Sequence, residues 1–213
     1  MEKWTFKNCT LVQLEKKFGL LLEDTLPALN DLLDISSFPI TEQEQVSLFP
    51  FQSFLQEKVD DWNEQELSLH FIGPIFSLVR FSSKKYGSFA GRDLMGTVGD
   101  IEFSGKPDEM IASGRLEPEI PYFFLQEYKQ ETDPNGDPRA QVLAAMLVAQ
   151  TKNEDGLPIY GGYVRGRNWF FMTLEGKKYA KSRAYDATQE DIFDIFKILK
   201  KLKTIIEARL PKD

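Results

Sequence analysis

Glu127 and Lys129 stand two residues apart in the segment YFFLQEYKQ, an aromatic and apolar run that reads as a β-strand. Side chains two apart on a strand leave the same face, and Phe123 and Leu125 share that parity, so the face is otherwise apolar. A carboxylate and an ammonium at the end of such a face are costly unless something else satisfies them. They are either a buried structural ion pair or half of a catalytic centre. The preceding segment, GKPDEMIAS, favours the second reading, because it supplies Asp108 at the start of its own strand, directly after a Gly-Lys-Pro turn. If the hairpin is centred between Glu117 and Pro118, Asp108 and Glu127 fall opposite one another. Opposed carboxylates repel. A divalent cation between them reverses the sign, and hard oxygen ligands with open water positions are what Mg²⁺ or Mn²⁺ takes. Lys129 then stands beside the ion, where an ammonium stabilises charge building on a phosphoryl oxygen or orients the attacking water.

Composition removes the main competing chemistries. His70 is the only histidine and Cys9 the only cysteine, which excludes a nucleophilic triad, a multi-histidine zinc site, an internal disulfide and a cysteine zinc cluster. Cys9 reads as an ordinary free thiol. A net charge of −7, from 26 basic and 33 acidic residues, argues against the whole surface coating nucleic acid or an anionic membrane. Any nucleic-acid site must therefore be a local basic patch. With 42% hydrophobic and 28% charged residues, a folded core is expected. The apolar stretches at Phe71 to Phe81 and Val142 to Ala149 are interrupted and fall short of the roughly 20 residues of a membrane span. MEKWTFKNCT lacks the continuous apolar run and cleavage site of a secretory signal, so a soluble cytoplasmic protein is expected.

The elements that must position these residues follow from periodicity. Residues 10 to 34 predict two short helices, one bearing Leu11, Leu14, Phe18, Leu21 and Leu22 and one behind Pro27. Thr41 and Glu44 form a capping-box pattern opening a third helical region, broken near Pro50. Asn63 caps the next helix, whose stripe of Leu67, Phe71, Ile75 and Leu78 is kinked or divided by Gly73-Pro74. Glu64 extends that stripe, and a carboxylate on a buried helix side needs an ion or a cation. Short strands are expected at Val98 to Phe103, Asp108 to Ser113 and Tyr122 to Lys129, consecutive and antiparallel. The loop QETDPNGDP leads to a helix from Arg139 to about Thr151. Strands at Ile159 to Gly166, Trp169 to Leu174 and Lys178 to Tyr185 and a terminal helix opened by Thr188 and Asp191 complete the chain. A mixed α/β sheet covered by helices accommodates this order.

Pro107-Asp108, 18 intervening residues and Glu127-Tyr128-Lys129 together resemble the signature of the PD-(D/E)XK nuclease superfamily. The resemblance covers about residues 60 to 200. Its members typically carry a Glu on a helix before the first catalytic strand, matched by Glu64, and often a Gln on the helix after the Glu-x-Lys strand, matched by Gln141. Asn63 through Pro74 is also similar to a helix of type I restriction subunits in which a Glu stands ten residues before a Pro. The resemblance implies a restriction-endonuclease-like core over residues 63–213, with an N-terminal helical segment, 1–62, packed on it as one compact domain. It implies a metal-dependent nuclease acting on DNA or RNA, with Asp108, Glu127, the carbonyl of Tyr128 and Glu64 holding Mg²⁺ or Mn²⁺. Lys129 would position or deprotonate the water, and Gln141 would hold the phosphate or orient Lys129. Phosphate contacts are expected from Arg165, Arg167, Lys177 and Lys178, followed by Lys181 and Arg183, whereas Trp169, Phe170 and Phe171 read as core. The alternative is an inactive nuclease-fold protein whose acidic N-terminal region docks a protein partner; many nucleases of this shape act as homodimers, but no segment identifies a dimer surface.

Overall fold

The computed structural model describes residues 2–132 and 136–210; Asp133, Pro134 and Asn135 of the expected loop lie outside the described residues. The N-terminal part runs β1 (Glu2–Thr5), α1 (Leu11–Phe18), β2 (Leu21–Leu22), α2 (Pro27–Leu33), α3 (Glu42–Lys58), α4 (Glu64–Leu67) and α5 (Gly73–Val79). Then come β3 (Tyr86–Ala90), β4 (Leu94–Val98), β5 (Ile101–Gly105), β6 (Glu109–Ser113), β7 (Glu119–Lys129) and α6 (Pro138–Asn153). The chain closes with β8 (Ile159–Arg165), β9 (Asn168–Glu175), β10 (Lys178–Lys181), β11 (Tyr185–Asp186) and α7 (Asp191–Arg209).

The large sheet has the order β2-β10-β9-β8-β7-β6-β3, with β11 added on β9, and β1-β5-β4 form a smaller sheet. In the large sheet β7 and β8 are parallel, as are β2 and β10, and the other neighbours are antiparallel. The architecture is mixed α/β, a mixed sheet flanked by helices. Parallel neighbours need a crossover, and α6 provides it between β7 and β8. No helix among the described residues is long and apolar enough to cross a membrane.

Two apolar cores form on the two faces of the large sheet. One packs α2, α3, α5 and α7 against Phe124, Tyr128, Trp169 and Phe171; the other packs α1, α6 and the small sheet against Leu125, Tyr163, Met172 and Leu174. α6 lies between the two sheets. A Cβ on Gly96 of β4 would meet Val148 at 2.8 Å, and one on Gly161 of β8 would meet Met146 Sδ at 2.5 Å. Both flanks press on the helix, so it is apolar all round and built from small residues such as Ala140, Ala144, Ala145 and Ala149.

Helix starts are placed by local chemistry: Thr10 with Gln13, Thr41 with Glu44 and Asn63 with Glu66 each form a reciprocal capping box. Several expectations need correction. α3 continues through Pro50 instead of breaking there, because the burial of Leu48 and Leu55 on either side of it outweighs the roughly 3 kcal/mol that an internal proline costs. The segment Val98 to Phe103 is not one strand; it turns at Gly99, whose φ of +61° suits glycine, and its two halves belong to β4 and β5 of the small sheet. It is therefore not a neighbour of β6. Residues 1–62 are not purely helical either, since β1 pairs parallel with β5 and β2 with β10.

Candidate active site

The centre is set by the pairing of β6 with β7. Glu109 lies opposite Gln126 and Met110 opposite Leu125, and continuing that register by one residue sets Asp108 opposite Glu127. Farther from this end the register slips between Ile111 and Ser113. Such a bulge changes which side chains share a face. Phe123 accordingly packs in the α5 and α7 core while Leu125 packs in the α6 core, contrary to the shared parity expected of them.

Asp108 Oδ2 accepts the Tyr128 N–H at 2.6 Å, which fixes the carboxylate across the strand end. Its partner across the strands, Glu127, is 5% exposed, and the two carboxyl groups lie near enough to perturb one another's titration. Burial raises the Asp108 carboxyl above the usual range, against the Tyr128 amide and Lys129, which lower it. Burial raises Glu127 further, well above the usual range, and the Asp108 charge adds to that rise. Two neighbouring acids in a desolvated place require either a proton or a cation.

Lys129 Nζ donates to Glu64 Oε1 at 2.6 Å, with side-chain exposures of 12% and 41%. Glu64 stands in the first turn of α4, where the Asn63 and Glu66 capping box starts the helix and so aims this side chain at the end of β7. Burial works to lower the Lys129 pKa. The Glu64 hydrogen bond and the charges of Glu64, Asp108 and Glu127 outweigh it, and the net shift is upward. Lys129 is thus an ammonium at neutral pH.

Gln141, near the start of α6, is 5% exposed. A Cβ on Gly136 would meet Gln141 Nε2 at 2.9 Å and Lys129 Cε at 3.7 Å, so the glycine lets the amide and the lysine stem converge. Its φ of +81° makes the conformation one that glycine adopts most readily. Sequence reasoning passed over Gly136, which in a Pro- and Asn-containing loop reads only as a turn. Glu109 was passed over as well; it is bonded by Ser88, and burial pushes its carboxyl up to about 7. Its signal was a carboxylate beginning the otherwise apolar β6.

Asp108, Glu127, Lys129, Glu64 and Gln141 therefore gather at one end of β7. Among the described residues, however, no three His, Cys, Asp or Glu side chains converge as a metal cage, and Glu64 is engaged with Lys129. What remains for an ion is the half-buried Asp108 carboxylate, the buried Glu127 carboxylate and the backbone carbonyl of Tyr128. That donor set fits Mg²⁺ or Mn²⁺, which take oxygen ligands, need few from the protein and keep several waters.

The four expected phosphate contacts do not form one patch. Arg165 pairs with Lys129 across β8 and β7, at the end where the carboxylates lie. Arg167, in the adjoining turn, is held by Asp60 at 2.6 Å and by Glu131 at 3.4 Å. Lys177 and Lys178 lie beyond the whole length of β9, at the opposite end of the sheet's strands, and Lys178 pairs with Glu23 at 2.8 Å. Successive hairpin turns fall at opposite sheet ends, so residues near in sequence are separated by a strand length. Arg183 is bidentate to Asp191 at 2.8 Å. No protein-family model matches the chain, and no curated protein matches it.

Proposed function

We propose that the chain is a divalent-metal-dependent phosphodiesterase of the PD-(D/E)XK kind, with a restriction-endonuclease-like core, that cuts DNA or RNA by attack of water on phosphorus. The observation that carries this reading is the half-buried Asp108 set across the strand pair from the buried Glu127, with the protonated Lys129 two residues beyond. The Tyr128 amide and Lys129 offset only part of the cost of placing two acids together there, since both carboxyls remain raised, whereas a bound cation would offset the rest.

Asp108 and Glu127 supply carboxylate oxygens, and Tyr128 a carbonyl, to hold Mg²⁺ or Mn²⁺. When bound, the ion polarises the phosphate and lowers the pKa of a water. The Tyr128 N–H orients Asp108, the arrangement that keeps a ligand aimed. Lys129, kept positive by its neighbours, balances charge on a phosphoryl oxygen and orients the incoming water as a donor, not as a base. Glu64 holds the ammonium in place, and the Gln141 amide provides a neutral donor beside it.

The test is incubation of single- and double-stranded DNA and RNA with Mg²⁺ or Mn²⁺, comparing wild type with Asp108→Asn and Lys129→Ala. Metal-dependent cutting that both variants lose is the expected result. One observation favours the rival interaction-module reading: Lys129 is already paired with Glu64, as in a purely structural contact. No cutting of any substrate by folded, metal-loaded wild type would support that rival and overturn the nuclease.

A further inference from the structure

A cationic cleft lies away from the carboxylates. An open cleft of about 690 Å³ lies where the β6–β7 turn, the segment before β3 and the end of α7 meet. It is lined by Lys84, Lys85, Arg115 and Arg209, with Glu119 the one acid. Elsewhere many basic side chains are tied to carboxylates, as Lys17 is to Asp100, Lys200 to Glu44 and Lys201 to Asp31. Lys84 and Arg115 are exposed and, among the described residues, pair with no acid. In a chain of net charge −7, Lys84, Arg115 and Arg209 around one cleft set up a local potential opposite to that of the whole.

The cleft is also held in shape. Gly114 has φ +98° and its N–H donates to the Lys85 carbonyl at 3.2 Å, so the turn that presents Arg115 is tied to the segment that presents both lysines. Arg209 donates to the Pro158 carbonyl at 2.8 Å and lies over the Tyr160 ring, which fixes its guanidinium at the rim.

We infer that this cleft binds the phosphodiester backbone of the nucleic acid on one side of the bond to be cut. The inference rests on the nuclease reading for the identity of the polyanion. Asp108 stands at one end of β6 and the cleft at the other, a strand of five residues. At about 3.3 Å per residue that is roughly 17 Å, or about five steps of a duplex at 3.4 Å each. A strand held at the carboxylates would thus reach the cleft only if it extends several nucleotides past the reacting phosphate. Cations from three separate elements along an open cleft suit a polymer backbone, which offers successive charges, better than a single small anion.

The test uses the full chain and the double variant Lys84→Glu/Arg115→Glu, both exposed positions, with thermal melts confirming that it folds. Fluorescein-labelled DNA and RNA, single- and double-stranded, at lengths of about 24 and about 6 nucleotides, are titrated in EDTA across a salt series. Cleavage of the same probes is followed with Mg²⁺. The double variant is expected to bind the long probe about tenfold more weakly and to lose about 2 from the slope of log K against log salt. Cleavage of the short probe is expected to stay at the wild-type level. Unchanged affinity and salt slope for the long probe would overturn the inference, as would failure of wild type to bind any probe. If wild type cleaves and the variant matches it throughout, the cleft falls and the nuclease stands. If binding changes as expected but nothing is cleaved, the cleft stands as a nucleic-acid surface and the nuclease falls.

Discussion

Glu127→Gln is expected to make the metal-free protein more stable at neutral pH. Burial raises the carboxyls of Glu127 and Asp108 above their ordinary values. An acid with a raised folded pKa holds its proton more tightly in the folded chain than in the unfolded one. Its contribution to stability is full below the ordinary carboxylate range and is lost as pH rises through the folded value. Above that window the wild type bears the cost of two neighbouring charged acids in a place where Glu127 is only 5% exposed. Glutamine keeps the shape, removes one charge and offers an amide donor to Asp108. A hydrogen bond to a charged group contributes about 1.5–3 kcal/mol, which for a chain of this length raises Tm by roughly 3–12 °C. Mn²⁺ at about 100 times its Kd adds about 2.7 kcal/mol to the wild type, and to the variant nothing. Scanning calorimetry in EDTA and in Mn²⁺, over a pH series from the ordinary carboxylate range to above neutrality, reads both effects. If the variant were several kcal/mol less stable in EDTA, as when one partner of a buried ion pair is removed, the reasoning would be refuted and Glu127 would be the structural partner of Lys129.

Lys129→Ala should reduce metal-dependent cleavage by about a hundredfold or more. It should cost no more than about 1 kcal/mol of stability, because its partner Glu64 is 41% exposed and the pair is partly solvated; urea titration and single-turnover cleavage separate the two effects. Gly161→Ala forces a Cβ against Met146 Sδ inside the layer between the two sheets, and overpacking of this kind costs about 1–3 kcal/mol, seen as a lower urea midpoint with no change in slope. Burial pushes the Cys9 thiol up to about 11, so at pH near 8 a thiol reagent should label the folded chain far more slowly than the urea-unfolded chain. Equal labelling rates would mean that the α1 corner opens freely.

Much of the frame was legible because it is written in short-range chemistry. Thr41 with Glu44 and Asn63 with Glu66 announce helix starts through their own side chains, and β8 and β9 flank a clear turn, whereas the stretch Lys178 to Tyr185, expected as one strand, divides into β10 and β11. The register that sets Asp108 against Glu127 could be counted from the hairpin. The bulge beyond Ile111 could not, because a register slip depends on what the two faces must bury and leaves no mark of its own in the sequence. The same holds for Pro50, tolerated within α3 on account of distant packing, and for β1, whose partner β5 lies about a hundred residues away. Gly136 and Gln141 meet Lys129 only through the crossover of α6. Arg165 and Lys177 looked like neighbours because sequence distance hides the length of β9 between them.

The proposed chemistry requires Asp108 and Glu127 together to hold one divalent ion. Isothermal titration of Mn²⁺ into wild type, Asp108→Asn and Glu127→Gln tests it without requiring a substrate. One site per chain in the wild type and none in either variant, with all three folded, is the expected result. No binding by the wild type, or equal binding by all three proteins, would contradict it.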